Sequence, residues 1–199
     1  LVVMPHGGPF VPENPDFDEW AQMLANRGFM VLQPQYRGSK LFGLDFYKTA
    51  FINGGQGGYQ MQDDKDDGAL YLVDKGLVDP NRMMMFGWSY GGYAALIAAS
   101  REDQIYQCAI AGAAVSDMRM QLNYYRYQLS GSQKISQLNY RDGAVNPIDV
   151  ADKVNIPLLI VHGESDQRVP LEHFDKYTGA LDRAGINYKK LVLEGADHF

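Results

Sequence analysis

The sequence predicts an α/β chain built on a doubly wound, mostly parallel sheet. Two observations carry this. Apolar runs alternate with helix-like segments along all 199 residues, the pattern of strands joined by crossover helices. The strand candidates are continuous apolar runs rather than alternating ones, as expected where both sheet faces are buried. The length suits one domain, 1–199, with enough chain to bury a core unaided.

The elements follow in order. "LVVMPHGG" reads as a strand entering a loop, and Asp16 to Arg27 as a helix stopped by Gly28. "FMVLQPQYRG" is a second strand. Asp63 to Lys75 is a helix whose first turn carries Asp63, Asp64, Asp66 and Asp67, acids that suit the positive end of the helix dipole and a solvated helix start. "DPNR" turns into strand Met83–Trp88. Helix Gly91–Ser100, strand Gln107–Val115 and an irregular polar stretch, Ser116 to Asn146, come next. Strand Pro157–His162, helix Leu171–Ala184 and strand Tyr188–Leu193 complete the set. The Tyr-rich "NYYRYQLSGSQ" is the best candidate for an insertion or lid.

Composition excludes several function classes. A net charge of −6 argues against general nucleic-acid affinity. No apolar run reaches the roughly 18 residues of a membrane span. The one cysteine, Cys108, lies in "CAIAGAAV" and is expected to be a buried small hydrophobe. There is no metal-ligand spacing and no phosphate-binding loop, so no metal or cofactor is expected.

The stretch "MMMFGWSYGGYAALIAAS" sets Gly-x-Ser-x-Gly between an apolar strand and a small-residue helix. That context is a nucleophile elbow. Its tight turn would lift the Ser89 hydroxyl above the sheet's C-terminal edge, with Gly87 and Gly91 removing side chains that would collide. The alternative is a glycine-rich turn with a helix-capping serine. An elbow serine needs a base and an orienting acid, in the chain order Ser, Asp or Glu, His. His198, in the turn "EGADHF" after the last strand, is the candidate base. His173 falls on a helix and is expected at the surface, and His162 ends a strand and is expected to support the next loop. Asp166 in "HGESDQRVP" is the candidate acid, with Asp117 after the previous strand as runner-up. Asp197 adjoins the histidine and is poorly placed to bond its ring. An oxyanion needs donors, and the Tyr90 N–H and a backbone N–H of "HGGPF" are the candidates.

Taken together, "HGGP", "GWSYGGY", "HGESDQRVP" and "GADHF" resemble the catalytic α/β-hydrolase domain of the prolyl oligopeptidase family of serine peptidases, closest to its acylaminoacyl-peptidase and dipeptidyl-peptidase-like branch. The resemblance runs from Leu1 to Phe199. It implies Ser89 as nucleophile, Asp166 as acid, His198 as base, and the Tyr90 and Gly8 N–H groups as oxyanion donors. It also implies Arg168 as the clamp on a substrate carbonyl. It further implies a β-propeller outside this chain and a hydrolase sheet truncated at both ends. Three functions follow as expectations: a serine peptidase acting on short peptides, a carboxylesterase with the same machinery, or a non-catalytic scaffold. The intact motifs argue against the last.

Overall fold

The computed structural model describes residues 1–51, 57–127 and 144–199. Its centre is a six-stranded, all-parallel sheet of β1 (Val2–Val3), β2 (Val31–Leu32), β3 (Met84–Trp88), β4 (Cys108–Gly112), β5 (Leu158–Gly163) and β6 (Lys189–Leu193). The order is β2-β1-β3-β4-β5-β6. The chain therefore moves outward from β1 to β2, then returns to place β3 on β1's other side. That reversal is a topological switch point, where loops leaving the C-terminal strand ends diverge and open a crevice. The loop after β1 carries His6–Gly8, and the turn after β3 carries Ser89.

Among the described residues the α-helices are α1 (Glu19–Asn26), α2 (Leu44–Lys48), α3 (Tyr59–Asp74), α4 (Tyr90–Ala99), α5 (Met118–Tyr125) and α6 (Glu172–Ala184). Asp18 caps α1 by accepting from the Ala21 N–H, so that helix starts later than the periodicity predicts. Gly185 ends α6 in the left-handed region, where a side chain would be strained. All ten residues of α4 are buried. The main core lies on one sheet face, where Ala69 of α3, Ala94, Ala95, Leu96, Ala98 and Ala99 of α4 and Phe174, Tyr177 and Leu181 of α6 meet Met85, Ala111 and Ile160.

Several expectations are corrected. The strands are not buried on both faces: β3, β4 and β5 alternate, and β6 is exposed along its length. On the second face Trp20 of α1 packs on Phe86 and Trp88. Cys108 falls on the half-exposed positions of β4 and is not the buried residue its apolar run predicts. The helix containing the aspartates begins at Tyr59, so no acid lies in its first turn and the helix-start explanation fails. Three of those four acids are held by arginines instead: Asp64 by Arg37, and Asp63 and Asp66 by Arg101. His173 is fully buried rather than exposed, because it faces the Ser116 end of β4's loop. The stretch read as irregular contains α5, capped by Asp117. The proposed lid lies only partly within view: Asn123–Tyr125 belong to α5, and 128–133 fall outside the described residues.

Candidate active site

The turn at Ser89 answers why glycines surround one hydroxyl. Ser89 sits at φ 61° and ψ −118°, a conformation costly for a residue with a Cβ. A Cβ on Gly87 would lie 2.2 Å from the Gly91 carbonyl oxygen, and one on Gly91 would lie 2.2 Å from that of Pro5. The glycines thus let strand, turn, helix and the β1 loop close on one another. The Ser89 side chain makes no capping bond to α4, so the capping alternative fails. The hydroxyl instead lines a cleft of about 260 Å³ with Gly8, Tyr90, Val115, Met118, Gln121, Leu122, Tyr125, Arg168 and Val169.

The candidate acid and base, Asp166 and His198, lie on loops after β5 and β6. His198 Nδ1 lies 2.7 Å from Asp166 Oδ2, with both residues buried. The other carboxylate oxygen accepts the Arg168 N–H at 2.8 Å and the Val169 N–H at 2.9 Å. With every oxygen of Asp166 accepting, Nδ1 is the donor and Nε2 of a neutral His198 is left with its lone pair. The two loops are joined directly. Ser165 N–H donates to the Ala196 carbonyl, and a Cβ on Gly163 would sit 2.5 Å from the carbonyl oxygens of Ala196 and Asp197. Asp117, the runner-up acid, instead caps α5 and pairs with Arg119. Asp197 accepts the Phe199 N–H.

His162 supports the acid loop as its position predicts. Its Nε2 donates to the Val169 carbonyl at 2.8 Å and lies 3.7 Å from Asp166 Oδ2. Burial holds its pKa below the usual imidazole value, which keeps a second positive charge away from the acid. Arg168 is exposed, lines the cleft and lies over the Phe199 ring at 4.9 Å. It makes no ion pair among the described residues, and Glu164 on the same loop accepts the Gly195 N–H.

Two supporting residues escaped the sequence reading. Trp88 Nε1–H donates to the His198 carbonyl at 2.9 Å, tying the base's backbone to the residue beside the serine. His6 anchors the β1 loop. Its ring stacks on Tyr36 at 4.1 Å, its Nδ1–H donates to the Gly7 carbonyl at 2.7 Å, and its Nε2 lies 2.9 Å from the Ser39 hydroxyl. Tyr36 O–H donates to the His6 carbonyl at 2.7 Å. Burial, followed at a distance by the Lys65 charge, lowers the His6 pKa to about 4, so the ring is neutral at pH 7. Gly8 sits at φ 113°, where a side chain would be strained, and a Cβ there would lie 2.8 Å from the Phe10 nitrogen. The one available signal for His6 was its place directly before the two glycines; Trp88 carried none beyond being the variable residue of Gly-x-Ser.

A serine on a strained, half-buried turn, a buried carboxylate–imidazole pair and backbone N–H groups at a helix start and a glycine loop can together support nucleophilic acyl transfer. Comparison with known proteins agrees. The model of the prolyl oligopeptidase family matches residues 15–199. The chain is 30% identical over its whole length to dipeptidyl aminopeptidase BIII of Pseudoxanthomonas mexicana, covering 30% of that protein. It is 28% identical to dipeptidyl peptidase family member 6 of Caenorhabditis elegans, covering 28% of it. Among solved structures, a puromycin hydrolase superposes with a TM-score of 0.83 at 27% identity, over all of this chain and 30% of that one. A puromycin-hydrolysing peptidase of Mycobacterium tuberculosis gives 0.83 at 25% identity, with the same coverage. The chain thus spans somewhat under a third of the length of these relatives. With an α/β-hydrolase sheet, the serine turn at its switch point and a family match over nearly all its residues, the chain belongs to the prolyl oligopeptidase family.

Proposed function

We propose that this chain is the catalytic module of a serine peptidase that cleaves short peptides through an acyl-enzyme. The observation that carries the reading is the buried Asp166–His198 bond of 2.7 Å, with the His198 carbonyl held by Trp88, the residue next to a serine at positive φ. In the reaction Ser89 attacks the scissile carbonyl while His198 Nε2 takes its proton. Asp166 keeps the proton on Nδ1 and stabilises the imidazolium. The Tyr90 N–H at the start of α4 and the Gly8 N–H stabilise the tetrahedral oxyanion, aided by the positive end of that helix. His198 returns the proton to the leaving amine, and water then releases the acyl group by the same steps in reverse. Arg168, over the cleft and free of an ion pair among the described residues, binds a substrate carbonyl beside the scissile bond. Peptides are favoured over simple esters by the relatives' names, dipeptidyl aminopeptidase and puromycin-hydrolysing peptidase.

A fluorophosphonate probe tests the reading, because it reacts only with an activated serine. The chain should label at Ser89, and Ser89→Ala should abolish labelling. An unlabelled chain, or a label that persists in Ser89→Ala, refutes the assignment. Faster turnover of a peptide anilide than of the matched ester's background-corrected rate predicts would support peptides as the substrate class.

A further inference from the structure

Lys65 on α3 is fully buried, and the mechanism above does not use it. Its surroundings are unusual for an amine. Nζ donates to the Met61 carbonyl at 2.5 Å, one turn back on its own helix. It then lies 3.6 Å from the centroid of the Tyr36 ring and 5.7 Å from that of Tyr90. Carboxylates stand near it on its own helix, but each is engaged elsewhere. Asp64 holds Arg37 through both oxygens and also accepts the Arg37 N–H. Asp63 and Asp66 hold Arg101, and Asp66 also accepts from the Tyr106 hydroxyl. Among the described residues no ion pair reaches Nζ. An ammonium buried from solvent and facing an aromatic ring is the geometry in which cation–π attraction is strongest.

The ring that Nζ faces leads to the active site. Tyr36 stacks on His6 and holds the His6 carbonyl, and His6 in turn holds the Gly7 carbonyl. Gly7 lies against Ser89: a Cβ there would be 3.4 Å from the Ser89 Cβ. We propose that Lys65 is a positioning residue for the oxyanion loop, its ammonium drawing in the Tyr36 ring and so fixing His6, Gly7 and Gly8 beside Ser89. This rests on the reading that the Gly8 N–H is an oxyanion donor. Lys65 touches no reacting atom. It acts by setting where the donor stands when charge develops on the substrate oxygen, so its effect falls on the transition state and on kcat rather than on KM.

The ammonium is also close to losing its proton. Burial is the main cause; Asp64, Asp66 and Asp63 oppose it and Arg37 adds to it, and the net is a Lys65 pKa of about 7. Facing groups from the other packed elements are Tyr36 and Tyr90, both held un-ionised by burial, and His6, held neutral. Hence the positioning contact is present on the acid side of neutrality and fades on the alkaline side.

The test is the pH profile of kcat and KM for an N-acylated peptide anilide, which has no amine of its own to titrate. The wild-type chain should show a falling limb in kcat near neutrality, with KM flat. Lys65→Met keeps the unbranched length and removes the charge. It should lose about tenfold in kcat on the acid side and show no falling limb. A wild-type profile without the limb overturns the proposal, as does a folded Lys65→Met chain that keeps it. If Lys65→Met fails to fold, Tyr36→Leu decides: a limb that survives loss of the ring overturns the proposal, and a limb that disappears supports it. A chain that does not label at Ser89 overturns the peptidase reading and this inference with it. A chain that labels but has a flat profile overturns the Lys65 role alone.

Discussion

Asp166→Asn removes one proton-acceptor charge without changing shape, and the structure sets the size of the effect. One carboxylate oxygen accepts two backbone donors, from Arg168 and Val169, at 2.8 and 2.9 Å. The amide oxygen of an asparagine must take that place. Turned the other way, its NH₂ would face both N–H groups and leave buried donors unsatisfied, at about 1–3 kcal/mol each. The NH₂ therefore points at His198, where Oδ2 accepted from Nδ1 at 2.7 Å. Nδ1 must now accept, the ring proton moves to Nε2, and Nε2 can no longer take the proton of Ser89. A histidine locked in the wrong tautomer loses on the order of 10⁴ in turnover, about 5 kcal/mol of transition-state stabilisation. The assay is kcat/KM on a blocked peptide anilide, with the melting temperature measured alongside. Activity should collapse while the fold persists, since the amide oxygen keeps both backbone bonds. Asp117→Asn should change activity little, because Asp117 caps α5 and does not contact His198. Asp166→Asn within tenfold of wild type, or an equal loss from Asp117→Asn, would refute the assignment of the acid.

Arg168→Ala should reduce kcat/KM for a peptide by about 10- to 150-fold, the worth of a hydrogen bond to a charged group, and hardly affect p-nitrophenyl acetate, which has no second carbonyl to hold. Equal losses on both substrates with a lowered melting temperature would make Arg168 structural. Stability should rise with pH above neutrality. The folded state holds Lys65 at about 7 against an ordinary 10.5, so between those values the unfolded chain binds the extra proton and raising the pH favours the fold. His6, at about 4 against 6.5, acts with the same sign in acid: stability is lost as pH falls through that window. Melting temperatures across pH check both, and Lys65→Met should flatten the alkaline part while leaving the acid part.

What the sequence alone determined about this protein is what local order encodes. Alternating apolar runs and helix-like segments specify a parallel α/β sheet, because buried strands and crossover helices each leave a pattern within about a dozen residues. Gly-Trp-Ser-Tyr-Gly between strand and helix specifies the turn at Ser89, since only small residues allow strand and helix to approach so closely. Pairing Asp166 with His198 was legible as well, because chain order in this fold brings those two loops to one sheet edge. Tertiary structure decided the rest. Strands Val2–Val3 and Val31–Leu32 are two residues long, and the sheet is covered unevenly, with Cys108 half-exposed on β4. The aspartates of α3 looked like a solvated helix start, but their partners Arg37 and Arg101 lie roughly a helix length or more away in sequence. His173, Trp88, His6 and Lys65 owe their roles to atoms brought in from other elements: Ser116, the His198 carbonyl, Tyr36 and again Tyr36. Periodicity reports which face of an element is apolar. It carries no record of which distant polar group will meet a side chain once that face is buried, and for these residues that meeting is what sets charge state, orientation and chemistry.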